Sequence, residues 1–105
     1  MEAAYRKEGD RLVVPMPREV DHHVARNLGR EIDMLAESWH VYTIVFDFAE
    51  TEFMDSSGIG VLIGRKKKMD MHGGMVSAVH LGARAYQIFE KSGLLRIIPA
   101  EKEEG

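Results

Sequence analysis

The sequence predicts a layered α/β domain with a mixed, mainly parallel sheet and helices packed against it. Three observations predict it. Stretches of near-continuous or alternating apolar residues take turns with stretches of helical spacing. Glycine, aspartate and proline fall between them as turn signals. The first two strands are separated only by Gly9-Asp10, which suits a hairpin, whereas later strands alternate with helices, which suits right-handed parallel crossovers.

Ala3 to Glu8 reads as the first strand and Arg11 to Pro17 as the second, with Leu12, Val13, Val14 and Met16 apolar. Pro15 and Pro17 cannot donate to a ladder, so this strand is expected at an edge or in irregular form. Asp21 is placed to cap a helix over His22 to Ser38, since its carboxylate can accept from first-turn amides. Val24, Leu28, Ile32 and Leu35 give that helix one apolar face. Tyr42 to Phe48 is rich in aromatic and β-branched residues and reads as a strand buried on both faces.

Ser56 or Ser57 opens the next helix, which runs to about Met71 with Ile59, Leu62, Ile63, Lys66 and Met69 inward. Gly73-Gly74 stops it. Met75 to Val79 is a short strand. Ala83 to Ser92 is a helix with Tyr86, Ile88 and Phe89 inward, stopped by Gly93. Leu94 to Ile98 is expected as the last strand. The organisation is one domain over residues 1–105, with 1–3 and the charged 100–105 frayed.

Bulk composition narrows the function. The 105 residues are 45% hydrophobic, which suits one core. Fourteen basic against 17 acidic residues give a formal charge of -3, which argues against a general nucleic-acid binder. With no cysteine, disulfides, thiolate metal sites and cysteine nucleophiles are excluded. The first residues show no export pattern, and no apolar run approaches the ~20 residues a bilayer demands. No membrane partner is expected, and the expected compartment is the cytoplasm.

Phe53 to Gly64 is the most informative stretch. A strand and a short acidic loop lead through Asp55, Ser56 and Ser57 into a helix. The serines have a structural role open to them, capping free amides for ~1 kcal/mol. They also have a functional one, because the strand-to-helix end of such sheets is where sites concentrate. A phosphoryl group on Ser57 would add about -1.5 to -2 charge at pH 7. It would sit at a helix N-terminus, whose amides and dipole favour an anion. Gly58, Gly60 and Gly64 match neither the dinucleotide nor the P-loop pattern. Each costs a helix ~1 kcal/mol relative to alanine, which close approach to the sheet or to a partner would offset.

Met54-Asp55-Ser56-Ser57-Gly58-Ile59-Gly60-Val61-Leu62 resembles the signature of the STAS-domain anti-sigma factor antagonists. Ile44 to Phe48 resembles the strand that leads into that loop, and Glu19-Val20-Asp21-His22-His23 a Glu-Leu-Asp-His-His segment of the sporulation members that act on sigma-F. Gly64-Arg65-Lys66 and Ser92-Gly93-Leu94 through Ile97-Ile98 match as well, so the likeness runs from about Gly9 to Ile98. Two departures stand out: Arg18, preceded by Pro17, occupies a position where the family has glycine, and the family's last helix is expected to be absent or reduced to a turn.

The resemblance implies a STAS-like fold and a partner-switching function. Unphosphorylated, such a protein binds an anti-sigma factor that is also a serine kinase, and a sigma factor is released to engage RNA polymerase. The kinase carries the ATP and phosphorylates the serine before the glycine, here Ser57. A phosphoserine phosphatase resets the switch. Asp21, His22, His23, Asp55, Ser56, Ser57, Gly58 and Ile59 would form the partner-binding surface. The chain would need no cofactor and would be a substrate, not an enzyme. Alternatives are a STAS component of another signalling assembly and a small-ligand or nucleotide-binding module.

Other constellations point to less. His22 and His23 diverge by ~100 degrees on a helix, which disfavours one shared metal ion. Ser57, Asp55 and a histidine do not make a hydrolase, since the nucleophile elbow needs glycine where Asp55 stands. Arg65 to Lys68 reads as a solvated helix end, open to acidic groups on a partner. Met69, Met71 and Met75 read as gap-filling at the helix end.

Overall fold

The computed structural model describes residues 5–103. Ala3 and Ala4 of the expected first strand lie outside them. The strands are β1 (Arg6–Glu8), β2 (Arg11–Pro15), β3 (Glu19–Val20), β4 (Thr43–Asp47), β5 (Phe53–Met54), β6 (Met75–Leu81) and β7 (Ala100–Lys102). The helices are α1 (His22–Ser38), α2 (Ser56–Met71) and α3 (Ala83–Ser92). The main sheet has the order β1-β2-β4-β6-β7; β3 and β5 form a separate two-stranded sheet. Only β1 and β2 are antiparallel, turning at Gly9-Asp10, and every other ladder is parallel. The mixed, mainly parallel sheet expected from the sequence is therefore present.

Register builds the core. Leu12, Ile44 and Val76 lie level across three strands, as do Val14, Phe46 and Ala78. These six side chains join Leu28 and Ile32 of α1, Leu62 of α2 and Phe89 of α3 in one buried cluster. Burial of each large apolar side chain stabilises by ~1.5–3 kcal/mol. Phe48 and Phe89 meet edge to face, with centroids 5.3 Å apart, the arrangement that ring quadrupoles favour. Val13 and Val45 point to the opposite face and are buried there too.

Several expectations are corrected. The strand β2 is not an edge: it lies between β1 and β4. Pro15 is tolerated because Met16 N donates to Asp47 O, so the amide position at 15 points away from β4, beyond the last β1 pair at Val13. Leu94 to Ile98 is not a strand. Leu94–Arg96 is a single 3₁₀ turn, and Leu94 O accepts from both Ile97 N and Ile98 N. Gly93, at φ 83°, reverses the chain directly after α3, and Leu94 and Ile98 become buried on one side at helical spacing. The last strand lies instead at Ala100–Lys102, in the segment expected to fray. Its backbone is tied by Ala78 N to Pro99 O and Glu103 N to Leu81 O. Charged residues are normal on such an edge strand. Of the three methionines, Met69 is buried, whereas Met71 and Met75 are exposed. Among the described residues no helix is long and apolar enough to cross a membrane.

Candidate functional site at the paired helix starts

The two-stranded sheet fixes the site. Thr51 is buried, and its hydroxyl donates to Pro17 O at 2.9 Å. Arg18 O then accepts from Glu52 N and Phe53 N, and Val20 O from Asp55 N. The register Val20↔Met54 places the starts of α1 and α2 side by side, because β3 runs into α1 and β5 into α2 in the same direction. Arg18 also reaches across this seam at the surface. Its Nε pairs with Glu52 at 2.8 Å, and the carboxylate raises the affinity of the guanidinium for its proton.

Each helix start is capped by an aspartate. Asp21 Oδ1 accepts from Val24 N at 3.0 Å. Asp55 Oδ1 accepts from Ser57 N at 2.8 Å and Gly58 N at 3.3 Å. The cap of α2 is therefore Asp55 and neither serine; the sequence reading had given that role to Ser56 or Ser57. A carboxylate is the better cap, since it brings negative charge to the positive end of the helix dipole. Both serine hydroxyls are left free of capping. Ser56 is exposed, Ser57 half-buried and Ile59 half-buried.

Gly58 is buried because the helix start sits directly on the small sheet. A Cβ there would collide with the Met54 side chain and lie 2.9 Å from Val20 Cγ1. Gly60 and Gly64 differ: a Cβ on either would meet nothing within 4 Å. Their helix cost is not offset by packing within this chain.

His22 and Ser57 come together across the two helix starts, with Nδ1 3.4 Å from Oγ. The other ring nitrogen of His22 lies 3.3 Å from Arg26 Nη2. His22 and His23 stand edge to face with centroids 5.9 Å apart. Behind them an open groove of about 400 Å³ runs between α1 and α2, lined by His22, Arg26, Arg30, Asp33, Ser57 and Arg65 among others.

The basic run of α2 is not a simply solvated end. Arg65 lies 3.0 Å from Asp33 of α1 in an ion-pair contact off the Nε–H axis, and Lys68 donates to the same carboxylate at 2.6 Å. Lys66 pairs with Asp70. Phe53, half-exposed on β5, adds an apolar surface beside the loop. The sequence reading missed it, although a phenylalanine next to a loop of small and polar residues was a signal for it.

The family model described as STAS domain matches residues 2–105. The chain belongs to the STAS domain family.

This STAS domain is 30% identical over 93 residues to the anti-sigma F factor antagonist of Paenibacillus polymyxa, covering 89% of the chain and 80% of that relative. It is 32% identical over 88 residues to the anti-sigma-B factor antagonist of Bacillus subtilis strain 168, covering 83% and 79%. It also shares its fold with the Bacillus protein SpoIIAA. The structure of the anti-sigma factor antagonist SpoIIAA in its unphosphorylated form superposes with TM-score 0.83 at 24% identity, covering 94% of this chain and 87% of the other. The phosphorylated form gives 0.75 at 24%, covering 94% and 90%.

Proposed function

We propose that this STAS domain is an anti-sigma factor antagonist switched by phosphorylation of Ser57. Unmodified, it binds an anti-sigma factor that is also a serine kinase, and the sigma factor is released. The kinase moves the γ-phosphoryl group of its own ATP to Ser57 Oγ, giving ADP and freeing the hydroxyl proton. A phosphoserine phosphatase returns the serine and inorganic phosphate by hydrolysis. The chain is substrate and regulator rather than enzyme, and it works in the cytoplasm without a cofactor of its own.

One observation carries this reading. The paired helix starts put Ser57 and the Asp21-His22-His23 segment on one surface, with Oγ free of any cap. A partner packed there meets the Ser57 hydroxyl directly. Gly60, open and next to the serine, allows a close approach of partner backbone, and Phe53 offers an apolar contact. A phosphoryl group adds about -1.5 to -2 charge to that surface and disrupts a closely packed contact by bulk and desolvation cost. The names of the relatives support the class of partner. The similarity to an anti-sigma-B factor antagonist supports a second pathway assignment, in which the same switch serves another signalling assembly.

The test is modification by the cognate kinase with ATP, followed by mapping the site by mass spectrometry. A single phosphate on Ser57 is expected. Modification elsewhere, or none, overturns the reading.

A further inference from the structure

Two of the α2 amides that would most simply receive a phosphate on Ser57 are already taken. Asp55 accepts from both Ser57 N and Gly58 N, and its negative charge opposes a second anion there. A phosphoryl group on Ser57 therefore gains most from cationic donors that lie away from Asp55. They stand on α1. The Ser57 hydroxyl already lies 3.4 Å from His22 Nδ1, and His22 is backed by Arg26 at 3.3 Å. The terminal oxygens of a phosphate extend two bonds beyond Oγ, into the open groove that Arg26, Arg30 and Arg65 line.

The charges in the groove are not equivalent. Arg65 is held by Asp33, the one carboxylate among the lining residues. Arg26 and Arg30 pair with no carboxylate among the described residues. Arg26 is thus a cation without an anion, one histidine ring away from the modified atom. Its guanidinium presents forked donors that match a phosphate's oxygens. Asp21 and Asp55, at the two helix starts, are the negative groups nearest in the chain to His22 and Ser57.

We propose that the α1–α2 groove is an internal phosphate clamp, in which Arg26, with His22, captures the phosphoryl group of modified Ser57. This rests on the reading of Ser57 as the modified residue. Capture turns the phosphate toward α1 and into the His22 end of the groove. It also withdraws His22 from the surface offered to the partner. The switch then acts twice, through added charge and through loss of that contact residue. Pairing with Arg26 also offsets the negative charge that the phosphate adds beside Asp55 in a domain of net charge -3.

The experiment installs phosphoserine at position 57 during translation, so no kinase is needed. The second ionisation of the phosphate is followed by ³¹P NMR against pH, in the folded protein and in urea. The clamp lowers the folded pKa by about 0.5–1 unit below the urea value, an ion-pair-sized shift. Arg26 keeps its charge throughout this range, so Arg26→Gln isolates its effect. Arg26→Gln removes at least half of the shift, His22→Ala removes a smaller part, and Arg84→Gln on α3 removes none. Arg26 is exposed, and glutamine is a good helix former, so the variant folds. A folded pKa equal to or above the urea value, or one that ignores Arg26→Gln, overturns the clamp. A kinase that modifies Ser57 while the phosphate ignores Arg26 would sink the clamp and leave the switch standing. The reverse pattern would sink the switch and leave a groove able to hold a phosphate that the cell does not place there.

Discussion

His22 and Ser57 lie 35 residues apart in sequence, yet Nδ1 of one stands 3.4 Å from Oγ of the other. The contact exists because two very short parallel strands, β3 and β5, end level and each feeds a helix. Two helix dipoles therefore point their positive ends at one patch of surface. An aspartate caps each, and the serine hydroxyl between them is left for other chemistry.

Asp55 holds this arrangement, so Asp55→Ala should cost about 1–2 kcal/mol of stability. Asp55→Asn keeps an acceptor oxygen and should lose much less. Urea denaturation measures the cost. Hydrogen exchange should accelerate at the amides of Ser57 and Gly58 in the alanine variant, because both donate to Asp55 Oδ1. Unchanged exchange at those two amides would contradict the role given to the cap.

Gly58 and Gly60 should respond in opposite directions to the same substitution. Gly58→Ala drives a methyl group into Met54 and Val20 under a buried helix start, an overpacking cost of ~1–3 kcal/mol. Gly60→Ala meets nothing within 4 Å and should stabilise the helix by up to ~1 kcal/mol. For a domain of this size ~1 kcal/mol moves Tm by roughly 4–8 °C, so thermal melts separate the two. The Gly60 variant should nevertheless bind the anti-sigma factor less tightly if partner backbone approaches there.

Tyr5 gives a pH dependence of determined sign. Burial, together with its hydrogen bond to Glu31 at 2.6 Å and the charge of that carboxylate, pushes the phenol well above its usual value of about 10. The unfolded chain ionises first. The contribution of Tyr5 is thus fully present below pH 10 and is lost as pH rises through the folded value. Urea midpoints between about pH 9 and 11 should fall more steeply for the native chain than for Tyr5→Phe. Equal slopes would mean that the Glu31 contact does not persist in solution.

Much of this fold is legible in the sequence, and the losses have identifiable causes. The start of α1 is marked by its capping Asp21, the end of α3 by Gly93, and an apolar face runs along each helix. Strands β3 and β5, of two residues each, are too short to carry any period, and these are the elements that build the site. Strand β7 is invisible because its charged residues resemble a frayed tail, while backbone bonds to β6 hold it. Leu94 to Ile98 is apolar enough for a strand, but Gly93 sets the direction and the spacing of four buries its ends together. Ser57 is proposed from its motif, and the structure adds where it stands, at the start of α2. Its contact with His22 is long-range and has no local signature, and the basic residues of α2 give no sign that Asp33 of α1 holds two of them.

Under the proposed switch, the state of Ser57 sets the affinity for the anti-sigma factor. Isothermal titration of that partner with the unmodified chain, and with the chain carrying phosphoserine at position 57, measures this. At least a tenfold loss of affinity on modification, or about 1.4 kcal/mol, is expected. Ser57→Ala should bind like the unmodified chain and Ser57→Asp more weakly. Equal affinity of the modified and unmodified chains would mean that Ser57 is not the switch.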